Sequence, residues 1–386
     1  MTKVRIGLIG LFGAALATAP FSVRAQAAPK ITLKPAAAKL PSEFSSIAAL
    51  RELGDGRVLV TDPTENKVVV VDFAAGTVTQ VGRSGQGPGE YQTPGRPRPI
   101  GGDSTLMVEL RTGRWHLFAG AKLVATVPAD NPAYLASSRQ VLGADGRRNV
   151  VRTSSFVDNR SASIPVNGPD STWIIRTNRS TARSDTLGRA RTPKSVISST
   201  TNAKGEITSM EVVRPPFAVG EELAFFEDGW LAIARLDPYR IDWIAPDGRV
   251  TKGKPLPWSV VKITERDVET FFATRGSGAP PAGGAAAAEE ARRRKVESAM
   301  KSVPDALPPT VPGGLIPLDD ARLLVRHPDT ADQPHARYDL VDRRGALVGT
   351  IAMPKGETIV AISRKWAYVA MTDDDGLQYL RRHPWP

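Results

Sequence analysis

The stretch GDGRVLVTD at residues 54–62, followed by KVVVVDF at 67–73, decides the fold. A turn of Gly and Asp opens onto an apolar run that ends in a charged residue, and a second run follows four residues later. Apolar alternation with period 2 between turn formers is the pattern of paired antiparallel strands. The same landmark returns as GGDSTLMVE (101–109) with RWHLFA (114–119), ADGRRNVVR (144–152), EDGWLAIAR (227–235) with RIDWIAPDG (240–248), and LDDARLLVR (318–326) with ARYDLVDRRG (336–345). A degenerate sixth copy, SRKWAYVAM (363–371), leads into LQYLRRH (377–383).

The landmarks lie 47 residues apart from Gly56 to Asp103, 43 from Asp103 to Gly146 and 44 from Asp320 to Arg364. A period in this range means stacked supersecondary units. The two longer gaps, Gly146 to Gly229 and Gly229 to Asp320, read as insertions. Residues 153–216 are polar and rich in Ser, Thr and Arg around one extra strand pair, Trp173–Arg176 and the 185–196 region. Residues 259–305 read as helical, with Thr264 and Asp267 as a capping box, a GSGAPPAGG spacer at 276–284 and a second helix over 285–303. Six four-stranded units predict an all-β chain, a six-bladed β-propeller forming one domain over 28–386, with the helical insertion between blades 4 and 5. ITLKP (31–35) is expected to complete the last blade and close the ring, which removes exposed strand edges.

The chain has 386 residues, 51 Lys+Arg against 40 Asp+Glu, a net charge of +11, four His and no Cys. Disulfides, a thiol nucleophile, Cys-ligated zinc and iron–sulfur clusters are therefore excluded. Residues 1–27 combine a basic start (Lys3, Arg5), a 14-residue apolar run from Ile6 to Ala19 and small residues at Ala25-Gln26-Ala27. That is the layout of a secretory signal peptide, and the run is shorter than the roughly 20 residues a membrane-spanning helix needs. Cleavage after Ala27, or at Val23-Arg24-Ala25 as the second choice, predicts a periplasmic or secreted monomer without a membrane span. Removing Lys3, Arg5 and Arg24 leaves 359 residues at +8. Export and an aromatic content of 6% argue against a nucleic-acid partner.

VGRSGQGPGEYQTPGRPRPI (81–100), preceded by DGRVLVTDPTENKVVVVD (55–72), resembles the NHL-type repeat. In that family a strand ending in Asp, an Asn-containing turn and a Gly-rich connection with a following aromatic mark the passage between blades. The resemblance implies a bacterial exported six-bladed propeller, a group that hosts lactonases, lyases, receptors and scaffolds, so it names no activity.

The glycines 82, 85, 87 and 89 lack the following helix that phosphate cradling needs, and they read as a blade connection. His116, His327, His335 and His383 fall on different predicted strands, with no spacing typical of a zinc site. G-x-S-x-G is absent, so no nucleophilic Ser is indicated. No cofactor is expected for a binding module. A calcium or zinc ion enters only under the alternative, a metal-dependent hydrolase or lyase resembling gluconolactonase, carried by isolated channel residues that spacing does not reveal.

Aligned on their turns, the repeats place Asp62, Glu109, Arg152, Arg235 and Arg326 at one equivalent position, six residues after each landmark. There they should ring the face where the second strand meets the third, beside the blade connections and Arg83 of the Gly-rich loop. Guanidinium groups converging at a propeller mouth suit carboxylate or phosphate recognition. The expected function is therefore a binding module for a protein, peptide or acidic small molecule, with these six residues as its candidate site.

Overall fold

The structure, a computed structural model, describes residues 28–110, 112–127, 141–154, 170–194, 196–202, 207–274 and 284–386. Residues 1–27, and with them the expected signal peptide, lie outside the described residues.

Six four-stranded antiparallel units, strands A to D from the axis outward, form a six-bladed propeller. Blade 1 is Ala49–Glu52, Val58–Asp62, Lys67–Asp72 and Thr77–Gln80; blade 2 is Pro94–Pro99, Ser104–Glu109, Trp115–Ala119 and Lys122–Val127. Blade 3 is Val141–Ala144, Asn149–Thr153, Ser171–Asn178 and Ser184–Arg191. Blade 4 is Glu222–Phe225, Leu231–Leu236, Tyr239–Ile244 and Val250–Thr251; blade 5 is Leu315–Pro317, Leu323–Arg326, Arg337–Val341 and Leu347–Ala352. Blade 6 takes Glu357–Ile362, Trp366–Thr372 and Gln378–Pro384 from the C-terminus and Ala38–Phe44 from the N-terminus. The A strands touch in the order 1-2-3-4-5-6-1, so the ring is closed around an axial channel.

The packing explains the composition of the B and C strands. Six apolar clusters fill the six gaps between neighbouring blades, for example Leu59, Val68, Val70, Met107 and Phe118 between blades 1 and 2. A blade covered on both faces needs apolar residues on both, hence the uninterrupted runs at 58–60 and 68–71. The hairpin turns are set by short acids: Asp55, Asp247, Asp320 and Asp342 each accept the backbone N–H two residues on.

Two expectations are corrected. ITLKP does not close the ring: Lys30–Ile31 pairs in parallel with Thr350–Ile351 as a fifth strand of blade 5, and Ala38–Phe44 closes blade 6 against Gln378–Pro384. Pro41 disguises the closing strand in the sequence, yet an outermost strand tolerates a residue without an N–H donor. Residues 153–216 are not simply an insertion, because Ser171–Asn178 and Ser184–Arg191 are the two outer strands of blade 3. Their polar character reflects half-exposure at the rim. The added element is the hairpin Val196–Thr201 with Ile207–Val213.

Between blades 4 and 5 stand α1 (Glu265–Thr274) and α2 (Gly284–Met300). The capping box forms: Asp267 Oδ2 accepts from Thr264 N–H at 2.9 Å and from its hydroxyl at 2.6 Å, while Asp267 N–H donates to Thr264 Oγ1 at 3.2 Å. The second carboxylate oxygen of Asp267 accepts Ala331 N–H at 2.9 Å, fixing α1 over the B–C loop of blade 5. No helix among the described residues is long and apolar enough to cross a membrane.

Candidate functional site

Among the described residues the B–C turns and the D–A connections emerge at the same end of the channel, and the helical insertion and the Gly-rich loop stand there. The aligned positions Asp62, Glu109, Arg152, Arg235 and Arg326 all lie at that end, and most are already engaged.

Asp62 is buried and accepts the N–H groups of Ser46, Thr64 and Glu65, so it caps its own turn. Glu109, fully buried, accepts Gln92 N–H at 2.9 Å and the Arg114 guanidinium at 2.8 Å, and faces His116 Nε2 at 3.4 Å. Burial pushes its carboxyl pKa up, but the hydrogen bond and charge of Arg114 win and hold it below the usual range. The same guanidinium donates to the carbonyls of Gln86, Gly85 and Glu90 and thereby pins the Gly-rich loop. Arg83 of that loop is exposed and pairs with Glu90 at 2.6 Å.

Arg235 is locked between Glu221 at 2.6 Å and Asp242 at 2.8 Å. Arg326 pairs with Asp329 at 2.9 Å. Arg152 differs from both. No carboxylate among the described residues lies within ion-pair distance of it, its Nε, like that of Arg326, finds no partner, and burial lowers its pKa.

The residues that meet in the channel were not singled out by spacing. Strand A of blade 2 reads PGRPRP, residues 94–99. Three prolines in six residues mark a strand whose free edge faces the axis, where no ladder donor is required. Alternation then puts Arg96 and Arg98 on one side. Arg96 reaches across the ring and donates from Nη2 to the Gly313 carbonyl of blade 5 at 3.3 Å. Arg98 donates to the Leu142 carbonyl of blade 3.

Arg96 as a residue is exposed and Arg98 half-buried, yet protein surrounds both guanidiniums, and burial lowers both pKa values. For Arg98 the drop, deepened by the neighbouring charge of Arg96, goes to about 10. Opposite them Glu222 of blade 4 accepts Gly313 N–H at 2.7 Å. Burial pushes its carboxyl up, against the charges of Arg96 and Arg214. The prolines interleaved with Arg are the sequence signal of this strand.

The opposite end of the channel carries a more balanced set. Arg51 donates to the carbonyls of Ser104 at 2.6 Å and Gly102 at 2.7 Å. Burial lowers its pKa against the charges of Glu227, Asp103 and Asp319. Burial raises Glu227 and Asp319 above the usual carboxylate range.

Three of the four histidines serve the framework. His116 is buried between Glu109 and Thr126, and His383 Nδ1 lies 2.9 Å from the Lys34 carbonyl. His327 sits at the root of the insertion, with Nδ1 2.6 Å from the Pro309 carbonyl, Nε2 3.2 Å from Asp339 and its ring stacked on Trp258. Among the described residues no group of three or more His, Asp or Glu side chains is arranged to hold a metal ion.

No family model matches the chain, and no curated protein matches it. Among solved structures it is similar to virginiamycin B lyase from Staphylococcus aureus, at 10% identity over 90% of this chain and 98% of that one, with a TM-score of 0.41. It is also similar to regucalcin, a calcium-binding protein from Agrobacterium tumefaciens, at 12% identity over 92% and 97% of the two chains, with a TM-score of 0.39. At these identities and scores the likenesses assign no activity to this chain.

Proposed function

We propose that this chain is an exported, monomeric propeller of the NHL-like kind that binds a ligand bearing a carboxylate or phosphate at the arginine-bearing end of its channel. One observation carries the reading. Arg96 and Arg98 stand side by side in a protein-lined channel with no carboxylate among the described residues within ion-pair distance, and Arg152 on the neighbouring blade makes no ion pair among the described residues. Arg96 feels the charge of Glu222 at longer range than an ion pair, while Arg98 feels the like charge of Arg96. Such partly buried like charges oppose folding, and an anion seated between them relieves that cost. Guanidinium forks are also the side chains best shaped for carboxylate and phosphate oxygens. Of the positions predicted from the sequence, Arg152 is proposed as part of this site. Asp62, Glu109, Arg235, Arg326 and Arg83 support the loops around it.

The test is a thermal-shift titration of the mature chain with inorganic phosphate and with glutarate, repeated on Arg96→Ala, Arg98→Ala and Arg152→Ala. The wild type should melt higher with rising anion, and the Arg96 and Arg98 variants should lose most of that rise. Equal shifts in all four proteins would rule the site out.

A further inference from the structure

Gly313 occupies the channel as an amino acid would occupy a receptor. Its N–H donates to Glu222 Oε2 at 2.7 Å, and its carbonyl accepts Arg96 Nη2 at 3.3 Å. The framework N–Cα–C=O is thus held by an acid at the nitrogen end and a cation at the oxygen end. As it stands the pose admits a bare glycyl unit, and a ligand with a side chain seats once the flexible tip of Arg96 moves aside. The φ of Gly313 is +68°, and a Cβ there would lie 2.5 Å from Arg96 Nη2.

The loop that brings Gly313 in is anchored at its two ends, where Thr310 and Gly314 are buried and Arg326 N–H donates to the Gly314 carbonyl at 2.8 Å, and its tip is exposed. Thr310 Oγ1 and Val311 N–H reach the Arg326 carbonyl at 3.1 and 3.3 Å, and Gly314 N–H closes a turn on the Val311 carbonyl at 2.9 Å. Pro312 and Gly313 themselves are exposed. For its part, Arg96 gains only a long hydrogen bond to a neutral carbonyl, where a carboxylate would give a charge-assisted one.

We propose that the 310–314 loop is an internal stand-in, and that the site takes an α-amino acid: its ammonium on Glu222, its α-carboxylate on Arg96, and a side-chain carboxylate on Arg98. This rests on the anion-binding reading above and names the ligand class for it. A free zwitterion presents full charges where Gly313 presents a peptide dipole, so it can displace the loop. The loop's occupancy lowers the apparent affinity by the fraction of time the site is closed.

The experiment is calorimetric titration of the mature chain at pH 7 with L-glutamate and with glutarate, two dicarboxylates that differ by the α-ammonium and its carbon's configuration. Glutamate should bind tighter on the order of tenfold, the size expected of one charge-assisted contact. Glu222→Gln should weaken glutamate and not weaken glutarate, closing the gap. Gly313→Ala, strained at its positive φ and crowding Arg96 Nη2, should loosen the loop's hold and tighten glutamate several-fold. Equal affinities for the two ligands, both lost in Arg96→Ala, would overturn the amino-acid assignment and leave the anion site standing. Binding of neither ligand, or binding indifferent to Arg96→Ala and Arg98→Ala, would remove both.

Discussion

The guanidinium of Arg382 lies 4.8 Å from the ring centroid of Phe73 and 4.6 Å from that of Trp366, joining the last blade to the first. Next to this contact the closing strand buries Leu40 and Phe44 in the cluster that also holds Val58, Val71 and Tyr368. The ring is sealed by an N-terminal strand paired with a C-terminal one, so its stability depends on residues more than 330 positions apart. Leu40→Ala should cost about 3 kcal/mol in urea unfolding, as for other buried Leu. Arg382→Ala should cost about 1 kcal/mol through the lost ring contacts. Near-neutral behaviour of Leu40→Ala would mean that closure lies elsewhere.

Glu109 is buried and its charge is met chiefly by Arg114. Removing the cation leaves a buried carboxylate, so Arg114→Ala should destabilise by about 3 to 5 kcal/mol. The double variant Arg114→Ala/Glu109→Gln should lose clearly less than the sum of the single changes, because the unpaired charge is gone. Additive losses in denaturant unfolding would contradict this coupling.

The raised pKa of Glu222 gives a signed pH effect. A carboxyl that holds its proton more tightly in the folded state than in the unfolded one favours folding below its unfolded pKa, and loses that contribution as pH rises through the folded value. Glu222→Gln lacks the titration. Its melting temperature relative to the wild type should therefore climb between about pH 4 and pH 7. A difference that stays flat over that window would refute the burial of this group.

His327 ties the insertion to blade 5 through the Pro309 carbonyl and Asp339. Phe at this position preserves the stacking on Trp258 and removes both polar contacts. His327→Phe should cost about 2 kcal/mol, the scale of a buried group left unpaired. Exchange of the Leu307 amide, bonded to the Val261 carbonyl, should quicken. Unchanged exchange would show that the insertion is held by other contacts.

Much of this architecture is written locally. The period-2 runs at 58–62 and 67–73, the Asp-led hairpin turns and the Thr264–Asp267 cap depend on neighbours a few residues away, so the six units and the helical insertion were legible in the sequence. The equivalence of Asp62, Glu109, Arg152, Arg235 and Arg326 was legible for the same reason, since it follows from the repeat. Tertiary structure alone decided which of them had partners, because Glu221 and Asp242 reach Arg235 from another strand and a connection.

It also decided which N-terminal segment closes the ring. Lys30–Ile31 and Ala38–Phe44 both have residues to pair, and the choice depends on strands more than 300 residues away. The channel site is the extreme case. Arg96 and Gly313 are 217 residues apart and meet because opposite blades face each other across a closed ring, a distance no local pattern encodes.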